Sequence, residues 1–383
     1  MMFELNRSQK EIQNAARQFA KGEFDSHLAL ELEESREFPK KIWQKAAGLG
    51  FVGIQLPEEY SGGGLGLVEA CLIAENFCRV DSTFGMALTL AGAGSEAVAR
   101  FADAGLKQTI LPKICEGELL SGIAFSETDY GLDLSSINTI AKPAGDTILI
   151  NGKKTHVANL GTNGIYLVLC KTELNQAPPE ESLSMVLVKG DQRGMSIEDS
   201  GRKFGANMTA SATITFDNVT VPGSNLVGKN GKGWSQAGKL LDELKILTAA
   251  QALGTAQGAL DRALGHVKQR EQFNRKLGRF QITKHKIALM ATKVELARLI
   301  TFQAADMFDK GMADSTYISM AKMVSARTAV EVADEAIQLF GGYGYMKESQ
   351  VERFFRDAKV AELCFGGLTA MKDMIGEAVI GKI

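Results

Sequence analysis

Apolar residues recur with a helical period from residue 7 to about 125, interrupted once by the glycine-rich segment EEYSGGGLG at Glu58 to Gly66. A short turn beginning at Leu111 and Pro112 closes at CEGE, so residues 1–125 are expected to form a helical unit. From 126 to about 230 the period falls to two. In SATITFDNVTVP, Ala212, Ile214 and Phe216 alternate with Thr213 and Thr215, the pattern of a strand with one buried face. GIYLVLCK (Gly164 to Lys171) and LSMVLVKG (Leu183 to Gly190) are continuous apolar runs of strand length, which predicts a small β-barrel or sandwich. After GKNGKGW the helical period returns. Ile246, Leu253, Leu260, Leu264 and Val267 are spaced by seven, seven, four and three, and Ala-rich segments follow at 286–309 and 315–340. Residues 231–383 therefore predict a four-helix bundle, and the fold class is mainly α with a central β-domain.

Length agrees with that division, because 383 residues with 45% apolar content exceed one ordinary core. The 43 basic and 45 acidic residues nearly cancel and form no long run, which points away from nucleic acid or anionic lipid and toward small molecules or proteins. Five scattered cysteines, Cys71, Cys78, Cys115, Cys170 and Cys364, read as reduced core thiols, and no metal site is expected. The N-terminus lacks a secretory pattern, and no run approaches eighteen apolar residues. The expected setting is cytoplasmic, without membrane insertion.

Two motifs carry candidate chemistry. In REQFNRKLGRFQ, Arg270, Gln272 and Phe273 close the long helix and Gln281 follows; a guanidinium there can grip a pyrophosphate bidentately while amides take ribose or ring groups. As a lone residue, Arg270 is equally a solvated helix-end charge. In QLFGGYGY, Gln338 precedes Gly341, Gly342 and Gly344, which let backbone approach a ligand closely. Most such turns are only helix caps. Together with LPEEYSGGGLG, AFSETDYGLD, INGKKTHVANLG and RDAK, these segments resemble the acyl-CoA dehydrogenase family along essentially the whole chain.

That resemblance implies FAD between the β-domain and the bundle, with its pyrophosphate and adenosine end reaching a neighbouring subunit through Arg270, Gln281, Gln338, Gly341 and Gly342. Phe125, Ser126, His156, Val157, Ala158, Gln272, Phe273, Gly367 and Thr369 are its further implied contacts. Leu132, Asp242, Lys245, Phe365 and Gly366 fall at the substrate positions. The implied partners are an acyl-CoA thioester, an electron-transferring flavoprotein and further copies of the chain, usually as a tetramer. In the family a thioester carbonyl is polarised by a backbone N–H, a carboxylate takes the α-proton, and hydride leaves the β-carbon for the flavin.

The carboxylate is missing here. Counting from RDAK, the family's Glu falls at Phe365; the alternative position on the long helix is Leu244. Glu243 is adjacent but turned by about 100° on a helix, and Glu362 lies three residues before Phe365; a base elsewhere, or none, stays open. The family's flavin-facing Thr is Ala158, the neighbouring Trp is His156, the Ser at the CoA arm is Leu132, and the Arg near the thioester is Lys245. His156 reads as either a structural hydrogen-bonder or a group beside the flavin. Three functions fit this pattern: dehydrogenation of a branched, cyclic or carboxylated acyl group with Glu243 as displaced base; elimination of carboxylate or sulfinate without a base; or a non-catalytic FAD-binding subunit of a hetero-oligomer.

Overall fold

The computed structural model describes residues 4–159, 164–172 and 177–381. Seven helices build the first part: α1 (Arg7–Glu23), α2 (Ser26–Ser35), α3 (Lys40–Gly48), α4 (Leu67–Val80), α5 (Ser82–Thr89), α6 (Ser95–Phe101) and α7 (Ala104–Cys115). Several start on side-chain caps read directly from sequence. Asn6 and Gln9 form a reciprocal capping box on α1, and Asp81 accepts from the Thr83 and Phe84 N–H groups at 3.1 Å to start α5.

The central strands are β1 (Ser121–Ala124), β2 (Ile140–Ala144), β3 (Thr147–Ala158), β4 (Ile165–Lys171), β5 (Leu183–Lys189), β6 (Met195–Asp199), β7 (Ser211–Pro222) and β8 (Leu226–Val227), with the one-turn helix α8 (Pro179–Ser182) before β5. They form one eight-stranded sheet in the order β6-β7-β3-β2-β4-β5-β8, with β1 parallel to β4. The alternation in β7 buries Ala212, Ile214 and Phe216 as its period requires. β1 opens the sheet at Ser121, upstream of the expected division at 126. Its four residues are too few for a period-two pattern to stand out beside the preceding helix.

The third part is α9 (Gly233–Gln269), a short hairpin of β9 (Glu271–Gln272) and β10 (Arg275–Lys276), then α10 (Gln281–Asp309), α11 (Ser315–Phe340), α12 (Val351–Leu363) and α13 (Leu368–Ile380). The 37-residue α9 is the axis: it packs on α10, α11 and α12 and also on α4 of the first part. Gly254 and Gly258 permit that last contact. A Cβ at either would meet the Glu75 or Arg79 carbonyl of α4 at 2.3 or 2.4 Å, inside van der Waals contact.

RDAK is a clasp rather than part of a ligand site. The wholly buried Asp357 carboxylate accepts from the Ser82 and Thr83 hydroxyls at 2.5 Å and from the Ala206 N–H at 2.7 Å. One side chain thus joins α5, the segment between β6 and β7, and α12. Beside it, buried Arg353 pairs with Asp81, and Arg356 pairs with Glu33 and Glu352.

Candidate active site

Two groups of sequence-selected residues come together, at different places. The first occupies one end of the bundle, where α9 ends, α10 begins and α11 ends. Arg270, Gln272, Phe273, Gln281, Gln338, Gly341 and Gly342 are all exposed there. The Arg270 guanidinium lies 5.8 Å from the Tyr343 ring centre, and His266 stacks on Phe340 at 4.1 Å. Among the described residues Arg270 has no carboxylate partner. Gly341 has φ of +64°, and a Cβ on Gly341 or Gly342 would meet nothing within 4 Å, leaving an open backbone surface beside an unpaired cation.

The second group falls in two places, the end of β3 and the segment 364–367, which are linked through the one apolar cluster that takes in Phe125, Leu132 and Phe365. A register shift in the β3–β7 pairing between Lys154 and Val157 turns His156 outward at φ +55°, with Val157 buried behind it. Near it, the Thr155 hydroxyl and the Asn159 side-chain oxygen are buried and have no partner among the described residues. Leu160 and Gly161 of the INGKKTHVANLG motif lie outside the described residues. Phe125 is buried and Ser126 half-buried beneath this edge; Ala158 is half-buried at the strand's end. Glu127, first of the loop that carries Leu132, has a structural role: it accepts from the Asn138 and Thr139 N–H groups at 2.8 and 2.9 Å and from buried Lys154 at 2.8 Å. Burial works to raise its pKa, but Lys154 and Thr139 outweigh it and hold the carboxyl below its usual range.

At the 364–367 segment, Phe365 and Gly366 have φ of +50° and +98°. The Phe365 ring and Leu132 pack on the apolar cluster that contains Leu88, Phe125 and Leu244. Cys364 Sγ lies 3.9 Å from the Thr248 hydroxyl of α9. Lys245 is buried and donates to Asp242 at 2.9 Å, and Asp242 also accepts from Ser315. Gly367 caps α13 and Thr369 sits exposed in its first turn. Among the described residues the N–H of Phe365 has no hydrogen-bond partner.

The candidate bases are both engaged elsewhere. Glu362 pairs with Lys359. Glu243 is 4% exposed and accepts from Arg100 of α6 at 2.9 Å. Burial and the nearby Glu96 push its pKa up to about 7, with Arg100 acting in the opposite sense. Thr248 marks the face of α9 turned to Cys364, and it lies five helical steps from Glu243, a rotation of about 140°. Leu247, only about 40° from Glu243, lines a cavity of about 60 Å³ with Thr89 and Glu96. The geometry thus directs Glu243 toward the first helical part.

The sequence matches the profiles of the acyl-CoA dehydrogenase N-terminal domain over residues 6–118, middle domain over 122–219 and C-terminal domain over 231–380. The chain belongs to the acyl-CoA dehydrogenase family. It is 32% identical to an acyl-CoA dehydrogenase of Bacillus subtilis (strain 168), over 98% of this chain and 99% of the relative. It is also 32% identical to a short-chain specific acyl-CoA dehydrogenase of Clostridium acetobutylicum, over the full length of both. The butyryl-CoA dehydrogenase of Megasphaera elsdenii superposes over both complete chains with a TM-score of 0.93 at 28% identity.

An acyl-CoA dehydrogenase family member is an FAD-dependent oxidoreductase of acyl-CoA, and the residues here fit that cofactor. Among the described residues the buried oxygens of Thr155 and Asn159 have no partner and flank the exposed His156, while Arg270, without a carboxylate beside Gly341 and Gly342, suits a diphosphate. Arg100 and Glu96, which set the environment of Glu243, escaped sequence reasoning. So did Lys322, whose amine reaches the 364–367 segment from α11. A single Lys inside an amphipathic helix carries no signal that separates it from a solvated one.

Proposed function

We propose that the protein oxidises the α,β bond of an acyl-CoA thioester whose carbonyl binds at the Phe365 N–H, and that its substrate carries a carboxylate on the α-carbon. The Phe365 N–H, unpartnered among the described residues, supports the first half: it is a donor in a left-handed turn, and the phenyl group beside it neither gives nor takes a proton. The second half follows from the missing base. Loss of carbon dioxide leaves its electron pair on the α-carbon, so no side chain has to remove a proton there. Hydride departs from the β-carbon, and the products are the enoyl thioester, carbon dioxide and reduced flavin. When bound, FAD supplies the hydride acceptor, and an electron-transferring flavoprotein is the fitting reoxidant. Leu132 and the Phe365 ring keep water from the reacting carbons by closing on the Leu88, Phe125 and Leu244 cluster. Lys245 pairs with Asp242 along α9.

A second reading, with Glu243 as proton acceptor, draws support from its pKa of about 7, close to that of an effective base at neutral pH. Anaerobic titration separates the two. Under the first reading the flavin bleaches with an α-carboxylated acyl-CoA and releases carbon dioxide, while the unsubstituted saturated acyl-CoA of the same length leaves it oxidised. Rapid bleaching by the unsubstituted thioester, abolished in Glu243→Gln, would establish the second.

We further propose that the bundle end meets a second copy of the chain in a tetramer. Phe273 is 87% exposed on the β9–β10 hairpin, and Ile282, Leu289 and Leu296, seven apart on α10, are each more than half exposed. Apolar side chains lined up in that way need a cover. Sedimentation of the holoprotein as a monomer would refute this.

A further inference from the structure

Lys322 lies on α11 with none of its surface exposed. A buried ammonium requires compensation, and among the described residues no carboxylate pairs with it. Its Nζ instead donates to two backbone carbonyls, those of Cys364 and Gly366, on either side of Phe365. The first of these matters most. The Cys364 carbonyl and the Phe365 N–H are the two ends of one peptide unit, so an ammonium on the oxygen draws electron density from the nitrogen and strengthens its N–H as a donor. The second contact fixes the left-handed turn at Phe365 and Gly366, a conformation disfavoured for a residue with a side chain. Thr248, 3.9 Å from Cys364 Sγ, braces the same segment from α9.

The geometry points to Lys322 as the positioning residue that aims and polarises the Phe365 N–H toward the substrate carbonyl, an inference resting on the carbonyl placement proposed above. In this arrangement the charge acts through a peptide group instead of touching the ligand. It offers carbonyl activation that does not depend on which side chain stands at 365.

The test uses holoenzyme and crotonyl-CoA labelled with carbon-13 at the thioester carbonyl, an enoyl thioester with no hydride to give up, read by isotope-edited vibrational difference spectroscopy. The parent protein is expected to lower the carbonyl stretching frequency on binding. Lys322→Met is expected to lose at least half of that shift while retaining flavin, and Lys322→Arg, which keeps the charge, to restore most of it. Flavin reduction by a turned-over acyl-CoA should slow by about tenfold to a hundredfold in Lys322→Met, a fraction of the cost of removing an oxyanion donor outright, with acyl-CoA affinity changed less than threefold. An undiminished shift in Lys322→Met overturns the inference and leaves the proposed function standing. No shift in the parent protein overturns the carbonyl placement itself, and the role of Lys322 falls with it. Should Lys322→Met lose its flavin, the comparison of Lys322→Arg with Lys322→Gln decides on the same readout.

Discussion

The two ends of the candidate flavin site have diverged to different degrees. At the bundle end, Arg270, Gln281, Gln338, Gly341 and Gly342 match what the family resemblance implies, and the backbone there is open. At the segment 364–367 and the edge of β3, the residue types expected for proton transfer and flavin cover are replaced by Phe365, His156, Ala158 and Leu132. The backbone around those replacements is nevertheless built with care. Phe365 keeps a left-handed turn, its N–H has no partner among the described residues, and a buried lysine supports its carbonyl neighbours. Drift would erode the turn along with the side chain, and under the proposed function the contrast fits a change of chemistry on a retained carbonyl-binding frame.

The sharpest way to break this comparison is to restore the missing group. Phe365→Glu is expected to raise flavin bleaching by an unsubstituted saturated acyl-CoA by about a hundredfold or more, the lower end of what a positioned general base contributes. No gain in anaerobic stopped-flow would mean that the surrounding pocket has changed as deeply as the residue. Asp357→Ala comes next, with a loss of about 3 kcal/mol in folding stability, because it strands two hydroxyls and one N–H in the interior. Urea denaturation followed by far-ultraviolet circular dichroism measures it. At the retained end, Arg270→Met should weaken FAD binding by about 2 kcal/mol, roughly thirtyfold, the value of a charge-assisted contact to phosphate. Flavin retained on gel filtration reports the outcome, and full retention would remove Arg270 from the cofactor site.

The smallest expected effect is a pH dependence. The Glu243 pKa is raised from 4.5 to about 7 on folding, so between those values the folded state holds a proton that the unfolded state has lost. Its contribution to stability therefore falls as pH rises from 4.5 to 7, the opposite of Glu127, whose lowered pKa adds stability that disappears as pH falls. Subtracting the melting-temperature profile of Glu243→Gln from that of the parent isolates the first slope. A flat difference would mean that Glu243 is ionised throughout.

Periodicity read the architecture well where elements are long. α9 covers the whole run from Ile246 to Val267, and the alternation at Ala212, Ile214 and Phe216 sits in β7. It missed β1, which is too short to set a period against helical neighbours. Motif spacing singled out Arg270 and the Gly341–Gly342 turn, which the fold brings to one end of the bundle, because backbone freedom and a guanidinium leave marks in residue type. It could not show that RDAK is a clasp, that Glu243 turns to Arg100, or that Lys322 reaches Cys364, because each depends on which face of a helix meets which neighbour. A side chain's direction is a tertiary property, and the one-residue offset between Glu243 and Leu244 decides it.

The Asp357 carboxylate grips α5, the strand connection at Ala206 and α12 at once, deep in the interior where water cannot substitute for its partners. Swinging α12 from the first part would have to break both hydroxyl contacts, and swinging it from the middle part would have to break the Ala206 contact. If the proposed function holds, the rate at which a thioester enters should respond to changes near Leu132 far more than to anything that loosens the joints between the three parts.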